Sequence, residues 1–341
     1  MTFRFGEYKT RVHISNGLPK IGSPNSLFVA DENTLPFAEK IRFSDSNTDN
    51  APICVLKSGE ENKNWEAIER ILSAAKNAGL SRDSVIIGVG GGVIGDLTAF
   101  AASIYMRGCK LTLVSTTLLA MVDASVGGKT GFDLIGIKNL IGSFYPAQDV
   151  YIPLSALETL PEKEYKSGMA ELIKTAILSG CENELSAKAI STQDVAKAIQ
   201  YKAGIVSRDF KETKNMRVLL NLGHTFGHAF ETAAGLGNVT HGEAVAWGIY
   251  QACGFGTALG ITPVKRAQKI KNILSDFGYD ISSPHPLAKT PAFLSAIKND
   301  KKKRNNLPAF IVPNKTSAQI VYLNEMQTQM LDNILNEGFT L

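Results

Sequence analysis

The chain has 341 residues, of which 44% are hydrophobic and 20% are charged, and its formal net charge at pH 7 is +4. This composition is ordinary for a soluble globular protein and leaves room for two domains. No stretch approaches 18 uninterrupted apolar residues, and the N-terminal segment carries no apolar signal-like run, so we expect a cytoplasmic protein without a membrane partner.

Two further features exclude other classes of protein. The four cysteines are scattered without CxxC spacing, which argues against a disulfide framework and a thiolate zinc site. The only dense basic run is Lys301-Lys-Lys-Arg304, and no interleaved aromatic residues or recognition motif accompany it. We therefore expect no nucleic-acid partner, and an anionic small substrate better explains the lysines elsewhere.

The first half of the chain alternates predicted strands with predicted helices. Short apolar runs predict strands at Val12–Ser15, Leu27–Ala30, Ile53–Leu56, Val85–Ile87 and Leu111–Val114. Helical spacing of apolar residues predicts helices at Trp65–Ala78 and Leu97–Tyr105. This alternation predicts an α/β domain with a parallel sheet over residues 1–152.

From Ser155 onward the pattern is almost entirely helical. Apolar residues three to four apart predict helices at Gly168–Leu178, Asp194–Val206, Gly223–Ala234, Gly242–Leu259 and Val264–Phe277. Phe310–Val312 and Ile320–Tyr322 predict a late hairpin, followed by a helix at Asn324–Leu335. We therefore predict a second, mainly helical domain over residues 153–341, with the active site in the cleft between the two domains.

A glycine cluster follows the predicted strand at Val85–Ile87. Gly90-Gly-Gly-Val-Ile-Gly95 contains a formal GxGxxG, which would let a pyrophosphate approach the N-terminus of the next helix. A tight strand–helix turn would explain the same glycines. The next predicted strand ends in Thr116-Thr117 and not in an acid, so Asp31 or Glu60 would have to bind the ribose. Dinucleotide binding in an unusual geometry is favoured.

Lysines beside glycines come next. Lys129 follows Gly127-Gly128 but lacks the GxxxxGK spacing of a P-loop, and Lys138 precedes Asn139. A cation together with exposed N–H groups suits a phosphate or carboxylate, although two surface lysines are the simpler alternative.

Charged residues also occur within an apolar helical pattern. Glu171 and Lys174 are three apart, so they share one helix face and form either a surface ion pair or part of a buried site. Arg217 and Asn221 lie within two turns before His224 and extend the polar side of the same predicted site.

Three of the five histidines fall in one short window, at His224, His228 and His241. A catalytic zinc site commonly uses two histidines and one carboxylate. Spacing alone nominates His224 and His228, four apart on one helix face, with His241 or Glu243 completing the set. Packed core histidines are the alternative.

Taken together and in order, these motifs resemble the 3-dehydroquinate synthase family of sugar-phosphate cyclases. The matching segments are Asp31-x-Asn33, Gly59-Glu-x-x-Lys63, Gly90 to Asp96, Tyr105-Met-Arg-Gly108, Thr116 to Asp123, Gly127-Gly-Lys-Thr130, Lys138 to Gly142, Leu157-Glu-Thr-Leu-Pro161, Gly168 to Thr175, Leu219 to His228 and His241-Gly-Glu243.

The resemblance implies a role for each matching residue. It implies that Glu171, His224 and His241 hold a divalent metal, usually zinc with cobalt as the alternative, while His228 faces the substrate. It implies that NAD is held by Asp31, Asn33, Glu60, Lys63, Gly91, Gly92, Val93, Asp96, Thr116, Thr117, Asp123, Lys138, Ala156, Leu157, Glu158 and Thr159. The implied catalytic and substrate-binding residues are Arg107, Lys129, Asn139, Lys174, Lys202, Arg217, Asn221 and His228, with Lys301 or Lys302.

Three segments depart from the family pattern. Ile137 stands where the family has the glycine before Lys-Asn, Ser115 replaces a proline, and the loop 207–217 is less acidic and one residue longer. The last departure bears most on the placement of Lys202.

The family reaction converts 3-deoxy-D-arabino-heptulosonate 7-phosphate to 3-dehydroquinate and phosphate, and the family suggests a homodimer. The alternatives are another sugar-phosphate cyclase and a metal-dependent polyol dehydrogenase.

Overall fold

The computed structural model describes residues 1–185, 190–235, 237–282, 285–301 and 309–338, with the side chains of 298–301 outside the description. The chain forms two compact units. The first comprises Met1–Pro161 and Val195–Lys211, and the second comprises Glu162–Asp194 and Glu212–Leu341.

The first unit contains a seven-stranded sheet. Its strands, numbered in chain order, are β1 (Thr2–Phe5), β2 (Tyr8–Ser15), β3 (Ser26–Asp31), β4 (Ile53–Leu56), β5 (Val85–Gly90), β6 (Lys110–Ser115) and β9 (Asp149–Pro153). Their order is β1-β2-β9-β6-β5-β3-β4, with β1 antiparallel to β2 and the other pairs parallel. The predicted α/β fold with a parallel sheet is confirmed.

The helices of the first unit are α1 (Leu35–Arg42), α2 (Trp65–Asn77), α3 (Gly92–Ile104) and most of α5 (Thr192–Arg208). Asn64 caps α2 by accepting the N–H of Ala67, and Gly79 follows the helix with a φ of +66°. The predicted start of α3 at Leu97 is wrong, because the helix begins at Gly92 and the glycines form its first turn.

A hairpin that was not predicted, β7 (Lys129–Leu134) with β8 (Ile137–Phe144), packs on α3. Ile135 and Gly136 at its turn have φ values of +48° and +74°, as a type I′ turn requires. A β-branched residue is unusual at such a position, so the sequence carried no turn signal there.

The second unit is mainly helical, as predicted. Its helices are α4 (Glu162–Ser179), α6 (His224–Ala234), α7 (His241–Ala258), α8 (Val264–Asp276), α9 (Pro291–Lys301) and α10 (Glu325–Glu337). The predicted late hairpin is formed by β10 (Ala309–Pro313) and β11 (Ala318–Tyr322), which pair antiparallel. Helix α9 was not predicted. Across the described ranges, no helix has the length and apolar character needed to cross a membrane.

Candidate active site

Three helices of the second unit bring Glu171, His224 and His241 together. Glu171 lies on α4, where its side chain is only 1% exposed. His224 begins α6 directly after Gly223, whose φ is +81°. His241 begins α7, which is fixed by a capping box between Thr240 and Glu243.

Interhelical contacts at glycines place these helix starts close together. A Cβ atom at Gly248 of α7 would lie 2.1 Å from the carbonyl oxygen of Gly223. A Cβ atom at Gly227 of α6 would lie 3.0 Å from the carbonyl oxygen of Ala244. Because side chains are absent at these positions, α6 and α7 approach closely enough for their first residues to share one site.

The distances among the three side chains fit a metal site. Oε1 of Glu171 lies 3.6 Å from Nε2 of His224 and 3.5 Å from Nε2 of His241. Two ligands of a tetrahedral zinc ion, each 2.0–2.1 Å from the metal, are about 3.4 Å apart. Within the described part of the chain, Oε1 is buried and has no hydrogen-bond partner, while Oε2 pairs with the ammonium of Lys174. Leaving Oε1 without a partner is costly, and a divalent cation would satisfy it. The residues therefore fit a divalent ion.

Electrostatics keep Glu171 and His224 in the deprotonated forms that bind a metal, whereas His241 would have to release a proton when a metal binds. Burial would raise the pKa of Glu171, but Lys174 and the two imidazoles hold it well below 4.5. Burial and the charge of Lys174 hold the pKa of His224 well below 6.5. Burial would lower the pKa of His241, but Glu171 and Glu231 raise it to about 9. His224 is thus a neutral imidazole, the form that binds metals.

The set nominated from spacing is not the one that the geometry favours. Glu243 accepts hydrogen bonds from the N–H and Oγ1 of Thr240, so its carboxylate is committed to the helix cap. His228 is exposed and joins a second possible ligand group with Glu231 and His241. Its ring lies 5.3 Å from that of His224.

Glu231 is a feature that the sequence reasoning missed. Its Oε1 lies 3.6 Å from Nδ1 of His241, on the side of the imidazole opposite Glu171. A carboxylate behind a metal-binding histidine is a common way of orienting the ring. Its position three residues after His228 on α6 was the available signal.

The other substrate residues predicted in the second unit lie around this group. Lys174 is 2% exposed and its ammonium pairs with Oε2 of Glu171. Arg217 and Asn221 are the two ends of a 3-10 turn that contacts α4. Arg217 is buried and its Nε faces Oε1 of Glu212 at 3.6 Å. Glu212, which has a φ of +56°, was not identified from the sequence.

Most of the residues predicted to hold NAD follow the carboxyl ends of the parallel strands, whereas Lys138 lies on β8 of the hairpin. Asp31 ends β3, Glu60 and Lys63 follow β4, the glycine turn follows β5, Thr116 follows β6, and the turn Leu154–Thr159 follows β9. The strand order changes direction between β3 and β5, which are neighbours in the sheet. From β3 the chain adds β4 on one side, and it then adds β5 and β6 on the other side. Ligands of open α/β sheets bind at such a switch point, so the placement fits a dinucleotide.

The glycine turn lies in a shallow depression lined by residues that include Gly91, Gly92, Asp96, Ser115 and Ala124. A Cβ atom at Gly91 would lie 2.9 Å from Cγ2 of Thr117, and at Gly95 nothing lies within 4 Å. Among the residues that the structure describes, no side chain caps the N-terminus of α3, so its first N–H groups are available for an anion.

Several predicted residues already have protein partners. Oδ1 of Asp31 accepts hydrogen bonds from the N–H groups of Asn33 and Thr34 and from the Thr34 hydroxyl. The ammonium of Lys202 donates to the carbonyl oxygen of Asp123 at 2.7 Å and lies 2.8 Å from its Oδ1. Lys202 therefore belongs to the first unit, through α5.

Two predicted residues lie away from the glycine turn. Arg107 follows the C-terminal end of α3, whose 13 residues span about 20 Å from Gly92. Met106 and Arg107 both have positive φ values, of 49° and 66°. Lys129 lies at the base of the β7–β8 hairpin, paired with Phe144. Lys302 and the side chain of Lys301 lie outside the described residues.

Two family models match consecutive parts of the chain. The 3-dehydroquinate synthase N-terminal model matches residues 53–167, and the 3-dehydroquinate synthase C-terminal model matches residues 168–303. The chain belongs to the 3-dehydroquinate synthase family. The family expected from the motifs is thus confirmed.

Relatives within the family match most of the chain. A 3-dehydroquinate synthase from Helicobacter pylori (strain G27) is 41% identical over 269 residues, which cover 76% of this chain and 77% of that protein. One from Dictyoglomus turgidum is 36% identical over 316 residues, which cover 89% of this chain and 88% of that protein.

Solved structures share the fold at lower identity. A 2-deoxy-scyllo-inosose synthase complexed with carbaglucose-6-phosphate, NAD+ and Co2+ has a TM-score of 0.83 and 22% identity, covering 99% of this chain and 100% of that one. A 2-epi-5-epi-valiolone synthase from Streptomyces hygroscopicus with NAD+ and Zn2+ bound has a TM-score of 0.84 and 22% identity, with 98% of each chain covered. A probable glycerol dehydrogenase from Sinorhizobium meliloti is more distant, with a TM-score of 0.58 and 15% identity, covering 93% of this chain and 91% of that one.

Proposed function

We propose that the protein is a 3-dehydroquinate synthase, a phosphate-eliminating lyase of the shikimate pathway that serves aromatic amino acid biosynthesis. It converts 3-deoxy-D-arabino-heptulosonate 7-phosphate to 3-dehydroquinate and phosphate. The observation that carries the proposal is the unbroken family match over residues 53–303, supported by relatives named 3-dehydroquinate synthase at 36–41% identity.

Glu171, His224 and His241 would hold the divalent metal, and their two imidazoles and one carboxylate suit zinc, with cobalt as the alternative. The residues at the carboxyl ends of β3 to β6 and β9 would hold NAD. When bound, the metal would supply a Lewis acid for an alkoxide that develops on the substrate, and NAD would supply a reversible acceptor for the hydride from C5. No net oxidation results.

The protein side chains bind and orient the substrate. The group proposed to hold the phosphate until it departs consists of cations and one amide: Arg107, Lys129, Lys138, Asn139 and Lys174. Charged donors bind phosphate oxygens more strongly than neutral ones do, which favours these residue types. The departing phosphate oxygen is the proposed base in the elimination, and ring opening with an intramolecular aldol closure completes the carbocycle. Lys202, Arg217, Asn221 and His228 would hold the remaining carboxylate and hydroxyl groups.

One assay tests the reaction. The purified protein, supplied with the heptulosonate phosphate, a divalent metal and a catalytic amount of NAD, should release phosphate and form 3-dehydroquinate while NADH does not accumulate. A polyol dehydrogenase would instead accumulate NADH in proportion to turnover. A cyclase with another substrate would leave the heptulosonate phosphate unchanged and act on a different sugar phosphate.

We also propose a cellular location and an oligomeric state. A cytoplasmic location is supported by the four free cysteines, three of which are buried, because thiols persist in a reducing compartment. A homodimer is proposed from the family resemblance alone, and light scattering on the purified protein would test it.

A further inference from the structure

The ammonium group of Lys63 joins two parts of the first unit. Lys63 follows the 3-10 turn Glu60–Asn62 and is 4% exposed. Its Nζ lies 2.6 Å from Oδ2 of Asp96, on the first turns of α3, and 2.7 Å from Oδ1 of Asn139, on strand β8. One buried cation thus contacts the glycine-turn region and the β7–β8 hairpin.

The backbone of Lys63 holds the same hairpin. Its carbonyl oxygen accepts the N–H of Asp133, on β7, at 2.8 Å. Oδ1 of Asp133 in turn accepts the N–H of Asn139 at 2.7 Å. Asn139 has a φ of +51°, in the left-handed region that asparagine tolerates better than most residues, and these bonds hold it there.

The contact also decides which atoms Asn139 presents to a ligand. An ammonium group can only donate, so it requires the amide oxygen of Asn139 to point toward it. The NH₂ group of the amide then points away from Lys63, and it can only donate. A donor in this position suits an anionic or hydroxyl oxygen of the substrate.

We propose that Lys63 is a positioning residue that fixes Asn139 as a hydrogen-bond donor to the substrate and holds the hairpin on the glycine-turn region through Asp96. The proposal rests on the proposed function, because it takes Asn139 as a substrate-binding residue. It differs from the simpler assignment of Lys63 as a ligand of NAD alone, which predicts no effect of Lys63 on substrate binding once NAD is saturating.

The first experiment tests the hairpin contact and needs no activity. Lys138 is exposed, so trypsin can cut after it. In the Lys63→Met variant, cleavage after Lys138 should be at least about tenfold faster than in the wild type, since a hydrogen bond to a charged group is lost. Lys63→Arg, which keeps the donors, should restore protection. Equal cleavage rates in wild type and Lys63→Met would overturn the proposal.

The second experiment separates the two sides of the Asn139 amide. Asn139→Asp keeps an acceptor for Lys63 but loses the NH₂ donors, whereas Asn139→Ala loses both. Protection of Lys138 should survive in Asn139→Asp and be lost in Asn139→Ala, and this comparison decides the contact even if Lys63→Met does not fold. Both variants should raise the KM for the substrate about tenfold or more at saturating NAD.

Kinetic coupling completes the test. If Lys63 acts on the substrate through Asn139, the KM of the Lys63→Met/Asn139→Ala double variant should equal that of Asn139→Ala. The proposal would be overturned if the two substitutions raised the KM independently, so that their fold-changes multiplied in the double variant. It would also be overturned if Lys63→Met changed only the affinity for NAD. A wild-type protein that released no phosphate would refute the proposed function instead, while the proteolysis comparison would still decide whether Lys63 orders the hairpin.

Discussion

The backbone N–H of Gly242 donates to Oγ of Ser167 at 3.2 Å, so the first turn of α7 lies directly against α4. A Cβ atom at 242 would lie 2.4 Å from Cα of Ser167 and 2.5 Å from its carbonyl oxygen. Because His241 precedes Gly242 and Glu171 lies one turn after Ser167, this contact sets the distance between two of the proposed metal ligands.

We therefore expect Gly242→Ala to force α4 and α7 apart. Overpacking of this kind costs about 1–3 kcal/mol of stability. The variant should also bind zinc more weakly, because His241 would move relative to Glu171. Urea denaturation and zinc competition with a chelator would measure the two effects. Gly17→Ala is the matched control, since a Cβ atom there would meet nothing within 4 Å. A Gly242→Ala variant with unchanged stability and zinc affinity would contradict the argument.

A buried arginine stabilises the second unit. Arg266 is 8% exposed and donates to Oε1 of Glu182 and to the carbonyl oxygens of Ile177, Asn314 and Ser317, at 2.6–2.8 Å. It therefore links the end of α4 to the β10–β11 hairpin.

Replacing Arg266 by methionine should cost about 3–5 kcal/mol, because it leaves a buried carboxylate and several carbonyl groups without their donor. Urea denaturation would measure the loss. In the Glu182→Gln background the same replacement should cost less, since no charge is then left unpaired. Lys265→Met, at the neighbouring exposed position, should change stability little. A loss in Arg266→Met no larger than in this control would show that the bonds contribute nothing.

Lys129 should affect the reaction without affecting the fold. Its backbone pairs with Phe144 in the hairpin, while its side chain is exposed. Removing one preorganised donor from a site that stabilises an anion costs about 10²–10³ in rate. We expect at least that loss in kcat/KM for Lys129→Ala, measured by phosphate release, with an unchanged unfolding midpoint. Turnover equal to the wild type would remove Lys129 from the phosphate-binding group.

The sequence predicted a strand or helix best where all the residues of the segment share one environment. Strand β3 is apolar along its length because it is buried in the middle of a parallel sheet, so a short apolar run was sufficient to predict it. Strand β8 was not predicted because residues 137–142 are all exposed, which leaves no alternating pattern. The first turn of α3 was missed because glycines are poor helix formers in isolation.

Local spacing was also insufficient to predict which residues form the candidate metal site. Spacing placed His224 and His228 on one face of a helix, and they do lie on α6. A metal, however, needs donor atoms that converge on one point. The three residues whose donor atoms do so, Glu171, His224 and His241, lie on three different helices. Glu171 precedes His224 by 53 positions, and no local pattern connects them. Only the family resemblance placed them in one set.

The acid stability of the first unit should depend on Asp149. Partial burial would raise the pKa of Asp149, but hydrogen bonds from Arg11 and His13 outweigh it and lower the pKa below the ordinary value of 3.8. A lowered pKa in the folded state means that the carboxylate stabilises the protein above about pH 3.8, and that this stability is lost as the pH falls through the folded-state pKa.

Asp149→Asn should therefore be less stable than the wild type near pH 6, and the difference should shrink below about pH 3.8. The effect should be at most about 1 kcal/mol, because the Arg11 side chain is 56% exposed and water screens the pair. Urea midpoints of both proteins across the acid range would measure it. Asp332→Asn, on the exposed face of α10, is the control. If the stability difference between the wild type and Asp149→Asn grew as the pH fell, the pKa of Asp149 would be raised in the folded state and not lowered.

The last prediction concerns the metal. If Glu171, His224 and His241 are the ligands, Glu171→Gln should lose stoichiometric zinc, because a neutral amide replaces the only anionic donor of the set while its shape is kept. His241→Ala should behave in the same way. His228→Ala should keep its zinc and lose activity, since His228 is exposed and would face the substrate. Metal analysis of the dialysed variants would measure all three.

The outcome for His228→Ala separates two ligand sets. Loss of zinc in that variant, with zinc retained in Glu171→Gln, would favour the second group of His228, Glu231 and His241. The buried Oε1 of Glu171 argues against that result. The ammonium of Lys174 pairs with Oε2, but without a metal Oε1 would remain in the core with no hydrogen-bond partner among the described residues. Adding zinc to the metal-free wild type should accordingly raise its thermal midpoint, and should raise that of Glu171→Gln much less.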